Sequence, residues 1–273
     1  MNILIEYEHI IRTSIFLALL VILGSLEFFL PLAKRKCSRI KQWAINLSMV
    51  VIDSIAVRLC FPLLAVGAAQ YADDHTIGIF NLIVLPDVIT VVIALLLLDL
   101  LIYAQHMLFH RIPILWSLHK VHHTEIALDV TSAVRFHPVE IMLSMLIKIA
   151  FVLLMGIPVL AVILFEISLN SLALFNHSNL KLPEGLDKIL RKIIITPEVH
   201  WIHHSQIVKE TNSNYGFNLI IWDKLFSTYT EKPTFNYPEM QQGLAEYSAK
   251  VPLNLYHLLL LPFKKRNKRT EAR

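Results

Sequence analysis

The pattern His-x-x-His-His occurs twice: "HKVHH" supplies His119, His122 and His123, and "HWIHH" supplies His200, His203 and His204. Residues three and four apart lie on one face of a helix, so each box projects three imidazoles together. "HMLFH" adds His106 and His110 at the i, i+4 spacing used by zinc-binding helices, and "FNHSN" adds His177. A tetrahedral ion takes four ligands. Nine imidazoles are too many for one ion and suit two ions with about four or five ligands each. Imidazole suits zinc, copper, iron and nickel. The boxes hold almost no carboxylate, which argues against magnesium and calcium and departs from the Glu-rich soluble di-iron bundles.

Other polar residues carry weaker signals. Asp99, Tyr103, His106 and His110 are spaced 4, 3 and 4 apart and share a helical stripe. Asp99, inside "LLLLDLLIY", reads as an acceptor that fixes a ligand imidazole, or as a helix–helix hydrogen bond. Tyr103 divides evenly between packing and function. His137 in "RFHPVE" is either a tenth ligand or the residue that holds the start of the helix at Pro138. His9, His75 and His257 stand alone and read as ordinary interfacial residues. Cys37 and Cys60 make no disulfide framework and read as free thiols.

The elements that must position these groups are hydrophobic. Of 273 residues, 55% are hydrophobic and 17% charged, with mean hydropathy +0.57. That is too apolar for a soluble domain, where roughly 25% of residues are charged. The reading is one all-α integral-membrane domain with four to five transmembrane or re-entrant helices. Ile10–Ala33, Ala44–Ala69 and Phe80–Gln105 form three candidate spans. Asp53 and Arg58 interrupt the second, which should therefore face other helices rather than lipid. Ile141–Phe175 forms a further apolar stretch that "MGIP" divides into a spanning or re-entrant hairpin.

The basic runs "KRKCSRIK" and "KKRNKR" read as topology signals and not as nucleic-acid sites. The first places its loop in the cytoplasm, and the acidic "QYADDHTIG" suits the outer side. Three spans and a hairpin then deliver every histidine box and the C-terminus to the cytoplasmic side, as a histidine-rich helical cap.

The segments "DLLIYAQHMLFHRIPILWSLHKVHH", "SAVRFHPVE", "FNHSN" and "TPEVHWIHHS…NYGFNLIIWDKLFSTY" resemble the fatty acid hydroxylase superfamily, whose bacterial members are often labelled sterol desaturase family proteins. The resemblance covers residues 99–230, between N-terminal helices at 1–98 and a basic, amphipathic tail at 231–273. It implies a membrane-bound non-haem di-iron oxygenase that hydroxylates or desaturates a lipid C–H bond with O2 and two electrons. It implies two iron ions, for which zinc could substitute, held by His106, His110, His119, His122, His123, His177, His200, His203 and His204. Its partners would be a lipid from the bilayer, O2 and an external electron donor. Met107 stands where many relatives have Arg, and Ser227 where Gly is usual.

In the last motif, Asn214 or Asp223 reads as an acceptor for a ligating imidazole, with helix capping the competing role for Asp223. Two other classes compete with the oxygenase: a histidine-rich metal-binding or transport protein, and a zinc-dependent lipid hydrolase using Glu198 as base. Transport sites lie near mid-span, whereas these boxes fall at span ends.

Overall fold

A computed structural model describes residues 5–247 and 254–264; most of the basic tail lies outside these residues. Eight helices carry the architecture: α1 (Glu8–Phe29), α2 (Arg39–Cys60), α3 (Ala65–Asp74), α4 (Asp87–Arg111), α5 (Pro113–His123), α6 (Pro138–Met155), α7 (Val159–His177) and α8 (Pro197–His203). Shorter helical turns and three isolated bridges join them, and there is no strand among the described residues.

Five segments are long and apolar enough to cross a membrane: Glu8–Phe29, Arg39–Leu82, Asp87–Arg111, Pro138–Met155 and Val159–His177. Leu17, Val21, Phe29, Val88, Val92 and Leu154 lie exposed along them. So much bare apolar surface suits lipid and not water.

Prolines and one glycine set the boundaries. Pro62 ends α2 after Phe61, so the second candidate span is a long helix followed by the separate α3. Pro86 caps α4, which moves the third span from Phe80–Gln105 to Asp87–Arg111 and carries His106 and His110 on its last turns. Pro113, Pro138 and Pro197 open α5, α6 and α8 at the first helical position. Gly156 closes α6 with φ 64 and ψ 45, a left-handed residue that needs no Cβ. The hairpin has 18 and 19 residues in its two arms, or about 27 and about 28.5 Å, which is long enough to span.

The cap forms where buried polar side chains of the spans meet the loops between the boxes. Glu27 of α1 accepts from the amides of Val130 (2.6 Å) and Asn179 (2.8 Å). Gln42 of α2 donates to Ala127 O at 2.7 Å, and Asn46 to Thr131 at 3.0 Å. Arg135 donates to Asn46 Oδ1 (3.1 Å), Glu125 (3.2 Å) and Thr124 (2.8 Å). These buried bonds tie the helix bundle to the cap at fixed points. The basic loop lies on the cap as well: Arg35 bonds Asp129 at 2.8 Å, and Lys36 bonds Met240 O at 3.2 Å.

Candidate metal centre

Four helix ends deliver nine histidines to one place. The last turns of α4 carry His106 and His110, and the last turn of α5 carries His119, His122 and His123. His177 is the final residue of α7; α8 holds His200 and His203, with His204 at its C-cap. Helix C-termini carry partial negative charge, which favours a cation beside them.

The nine divide into two groups. His106, His110, His119, His123 and His203 form one; His122, His177, His200 and His204 form the other. Within each, the nitrogens lie within 4.8 Å of one another, and all nine residues are buried. The two His-x-x-His-His boxes are split in opposite senses. The first gives its outer pair, His119 and His123, to the five-histidine group and His122 to the other. The second gives its outer pair, His200 and His204, to the four-histidine group and His203 to the first.

Hydrogen bonds fix which nitrogen is bare in five of the rings. His106 Nδ1 donates to Tyr215 O at 2.7 Å, and His203 Nδ1 to Ser213 O at 2.7 Å. His177 Nδ1 donates to Ala173 O at 2.8 Å, and His122 Nδ1 to Arg135 O at 3.3 Å. His119 Nδ1 bonds Glu140 Oε1 at 2.6 Å. With the proton held on Nδ1, Nε2 presents a lone pair. Yet His106 Nε2 faces His119 Nε2 at 3.0 Å, and His122 Nε2 faces His177 Nε2 at 3.0 Å. Two lone pairs at that distance repel unless a cation lies between them. Donors at right angles around one ion with bonds of about 2.1 Å stand about 3.0 Å apart. His203 Nε2 and both nitrogens of His204 are buried without a partner. The donor set therefore fits metal ions.

Burial keeps the imidazoles neutral, the form that ligates. It pushes His119 down to about 3. His122, His123, His200, His203 and His204 lie far below the usual imidazole range, through burial first and neighbouring imidazoles second.

Residues 91–228, half of the chain, match the family model described as fatty acid hydroxylase. The chain belongs to the fatty acid hydroxylase family. It is similar to the ornithine lipid hydroxylase OlsE of Rhizobium tropici, 31% identical over 148 residues, which is 54% of this chain and 44% of that protein. It is also similar to alkylglycerol monooxygenases: that of Danio rerio is 32% identical over 50% of this chain and 30% of the relative. That of Homo sapiens is 25% identical over 59% of this chain and 33% of the relative. The chain thus spans less than half the length of these curated relatives. No solved structure matches it.

The remaining residues singled out from the sequence lie around this fatty acid hydroxylase centre. Asp99 reaches no imidazole; its Oδ2 accepts from Trp222 Nε1 at 2.8 Å and from the Leu219 amide at 3.3 Å. It is a tie between α4 and the loop after α8. His137 is in neither group: its Nδ1 accepts from the Val139 amide at 3.2 Å and its Nε2 donates to Leu259 O at 3.1 Å, so it caps α6.

Asp223 and Asn214 act on the backbone rather than on a ring. Asp223 accepts from the amides of Tyr215 and Gly216, each at 2.8 Å. Thr228 donates to Asp223 at 2.7 Å and takes the Tyr103 hydroxyl at 2.8 Å. Asn214, with φ 53, stands between the two carbonyls that accept from His203 and His106. Its side chain is anchored on Val199 O (3.0 Å) and Thr230 O (2.9 Å). Glu198 bonds Arg191 at 2.9 Å and is not among the grouped residues.

Glu140 is the carboxylate that the sequence reading passed over. Its signal was a lone acid in the first turn of an apolar helix, beside "HP". Ser227 has φ 56, which explains why glycine suits that position. Nothing in the structure explains Met107.

A cavity of about 380 Å³ opens beside His106 and His119 and runs between α2, α4, α6 and α7 into the membrane-spanning part. Ile102, Phe109, Phe136, Met145 and Phe217 give it an apolar lining.

Proposed function

We propose that this chain is an integral-membrane, non-haem di-iron oxygenase that hydroxylates a C–H bond of a lipid. The observation that carries this is the division of nine buried histidines into groups of five and four, with bare Nε2 atoms facing each other at 3.0 Å. The activities for which the relatives are named, a lipid hydroxylase and monooxygenases, support hydroxylation. The overall change is R–H + O2 + 2e⁻ + 2H⁺ → R–OH + H2O. Bound iron would supply the redox chemistry that joins O2, the electrons and the C–H bond; zinc could occupy the same ligands but changes no oxidation state.

The chain's own residues hold and orient. His106, His110, His119, His123 and His203 would hold one ion; His122, His177, His200 and His204 the other. Glu140 and the carbonyls of Tyr215, Ser213, Arg135 and Ala173 lock five of these rings. The apolar cavity admits the lipid from the bilayer and keeps bulk water from the ligands. An external protein or small reductant supplies the electrons.

The basic loop lying on the cap supports a cytoplasmic cap, by the positive-inside rule. Glu198 is paired with Arg191 and stands outside both histidine groups, which disfavours it as the base of a zinc hydrolase. The sites form at helix ends rather than mid-span, which disfavours a transporter.

The test is metal analysis with lipid profiling. Protein isolated from cells should hold two irons per chain. Cells with the intact gene should contain a lipid one oxygen heavier, absent with His203→Ala. Zinc alone with no lipid change would refute the oxygenase.

A further inference from the structure

The cavity beside the five-histidine group is not lined like a channel for hydrocarbon alone. Asp53 of α2, Gln105 of α4 and Glu140 of α6 reach it from three helices. Each has a buried oxygen without a hydrogen-bond partner: Asp53 Oδ1, Gln105 Oε1 and Glu140 Oε2. Asp53 and Glu140 are each only 5% exposed. In two of these groups the other atom is committed: Gln105 Nε2 donates to Ser144 at 2.6 Å and Glu140 Oε1 holds His119 at 2.6 Å. Among the described lining residues, every buried side-chain polar atom left unpaired is an acceptor.

Cations inside the protein do not answer this need. Lys148 also lines the cavity but is bound to Glu166 at 3.0 Å, and Glu166 holds Arg12 as well. Arg58 also lines the cavity, from the last turn of α2, but it is exposed and forms no ion pair with Asp53 or Glu140. Unpaired acceptors in a low-dielectric span are costly, and such residues mark binding sites. What these three acceptors lack is a hydrogen-bond donor. A primary ammonium offers three and accepts nothing.

We propose that the cavity takes a lipid with a primary amine in its head, the ammonium donating to Asp53, Glu140 and Gln105. This deepens the oxygenase reading and rests on it. Glu140 contacts both the amine and His119, so the C–H bonds nearest the ions belong to the head-proximal part of the lipid and not to mid-chain methylenes. There one C–H bond breaks and one C–O bond forms; the second oxygen atom leaves as water, with two electrons from the reductant and two protons from solvent. The apolar wall beyond holds the chain.

The experiment uses the full chain, purified with its metal in detergent, without reductant or O2. The probes are hexadecylamine, hexadecan-1-ol and hexadecanoic acid, titrated by intrinsic tryptophan fluorescence. Hexadecylamine should bind about tenfold or more tightly than either other probe, as a charge-assisted hydrogen bond implies. Asp53→Asn should weaken the amine about tenfold and move the alcohol less than about twofold, at unchanged metal content. Equal binding of amine and alcohol to the unaltered protein overturns the proposal. So does amine affinity unmoved by Asp53→Asn. If that variant does not fold, the three probes on the unaltered protein decide alone. Failure here leaves metal content and lipid oxidation untouched, so the two readings fail separately.

Discussion

The carbonyl of Tyr215 accepts the Nδ1–H of His106 at 2.7 Å, across 109 residues of chain. That bond, and not a side chain, aims the imidazole at its group. The carbonyl is itself held, because Asp223 takes the amides of Tyr215 and Gly216. Asp223→Ala should free both amides in a buried loop and cost about 2–4 kcal/mol of stability. Iron occupancy should fall with it. A thermal midpoint and a metal content equal to those of the unaltered protein would show that the loop needs no such anchor.

Glu140→Ala removes the acceptor that orients His119, and metal affinity should fall by about 10–100-fold. Glu140→Gln keeps an acceptor oxygen and should recover part of the loss. Competition with a coloured chelator measures both. Equal affinities in all three proteins would leave His119 oriented by packing alone.

His110 belongs to the five-histidine group and His200 to the four-histidine group. His110→Ala and His200→Ala should therefore each lower iron from two per chain toward one, at different ions. Spectroscopy that separates the two iron environments should show opposite losses. The same signal lost in both variants would mean a single cooperative site.

Ser227 has φ 56, a conformation that costs a residue with a Cβ roughly 1 kcal/mol. Ser227→Gly should raise stability by about 0.5–1 kcal/mol, less than the full strain because glycine also loosens the unfolded chain. Thermal unfolding reads the sign, and a lowered midpoint would contradict it.

Acid should destabilise the metal-free protein. Unfolded imidazoles titrate near 6.5, whereas burial holds His119 near 3 and five others far down. Below about pH 6.5 the unfolded chain takes up protons that the folded chain refuses, so stability falls as pH falls. Asp223, lifted by burial to about 6, and Glu125 and Glu198, also raised by burial, act oppositely, but outside the spans they are three carboxyls against six imidazoles. The thermal midpoint should drop between pH 7 and 5; a rise would reverse the assignment of neutral rings.

The histidines were legible because imidazole is rare in apolar sequence and its helical spacing is regular. The spans were legible from their length, although Pro86 shifted one of them by several residues. Asp99 was read as a costly buried acid bonded either to an imidazole or between helices; its bond is of the second kind, to Trp222 of the short helix Ile221–Leu225, 123 residues away. The carbonyls of Ser213, Tyr215 and Arg135 could not be found in the sequence, because every residue has one. Glu140 had only its lone position to announce it.

The split of the histidine boxes has a metric consequence. His122 and His123 are chain neighbours in different groups, as are His203 and His204, and both pairs hold their rings 5.4 Å apart and nearly perpendicular. One trans peptide bond, about 3.8 Å from Cα to Cα, thus bridges the two groups at two independent places. Packing can loosen and loops can drift, but that length cannot stretch. The spacing of the two histidine groups is ruled off in covalent units, twice.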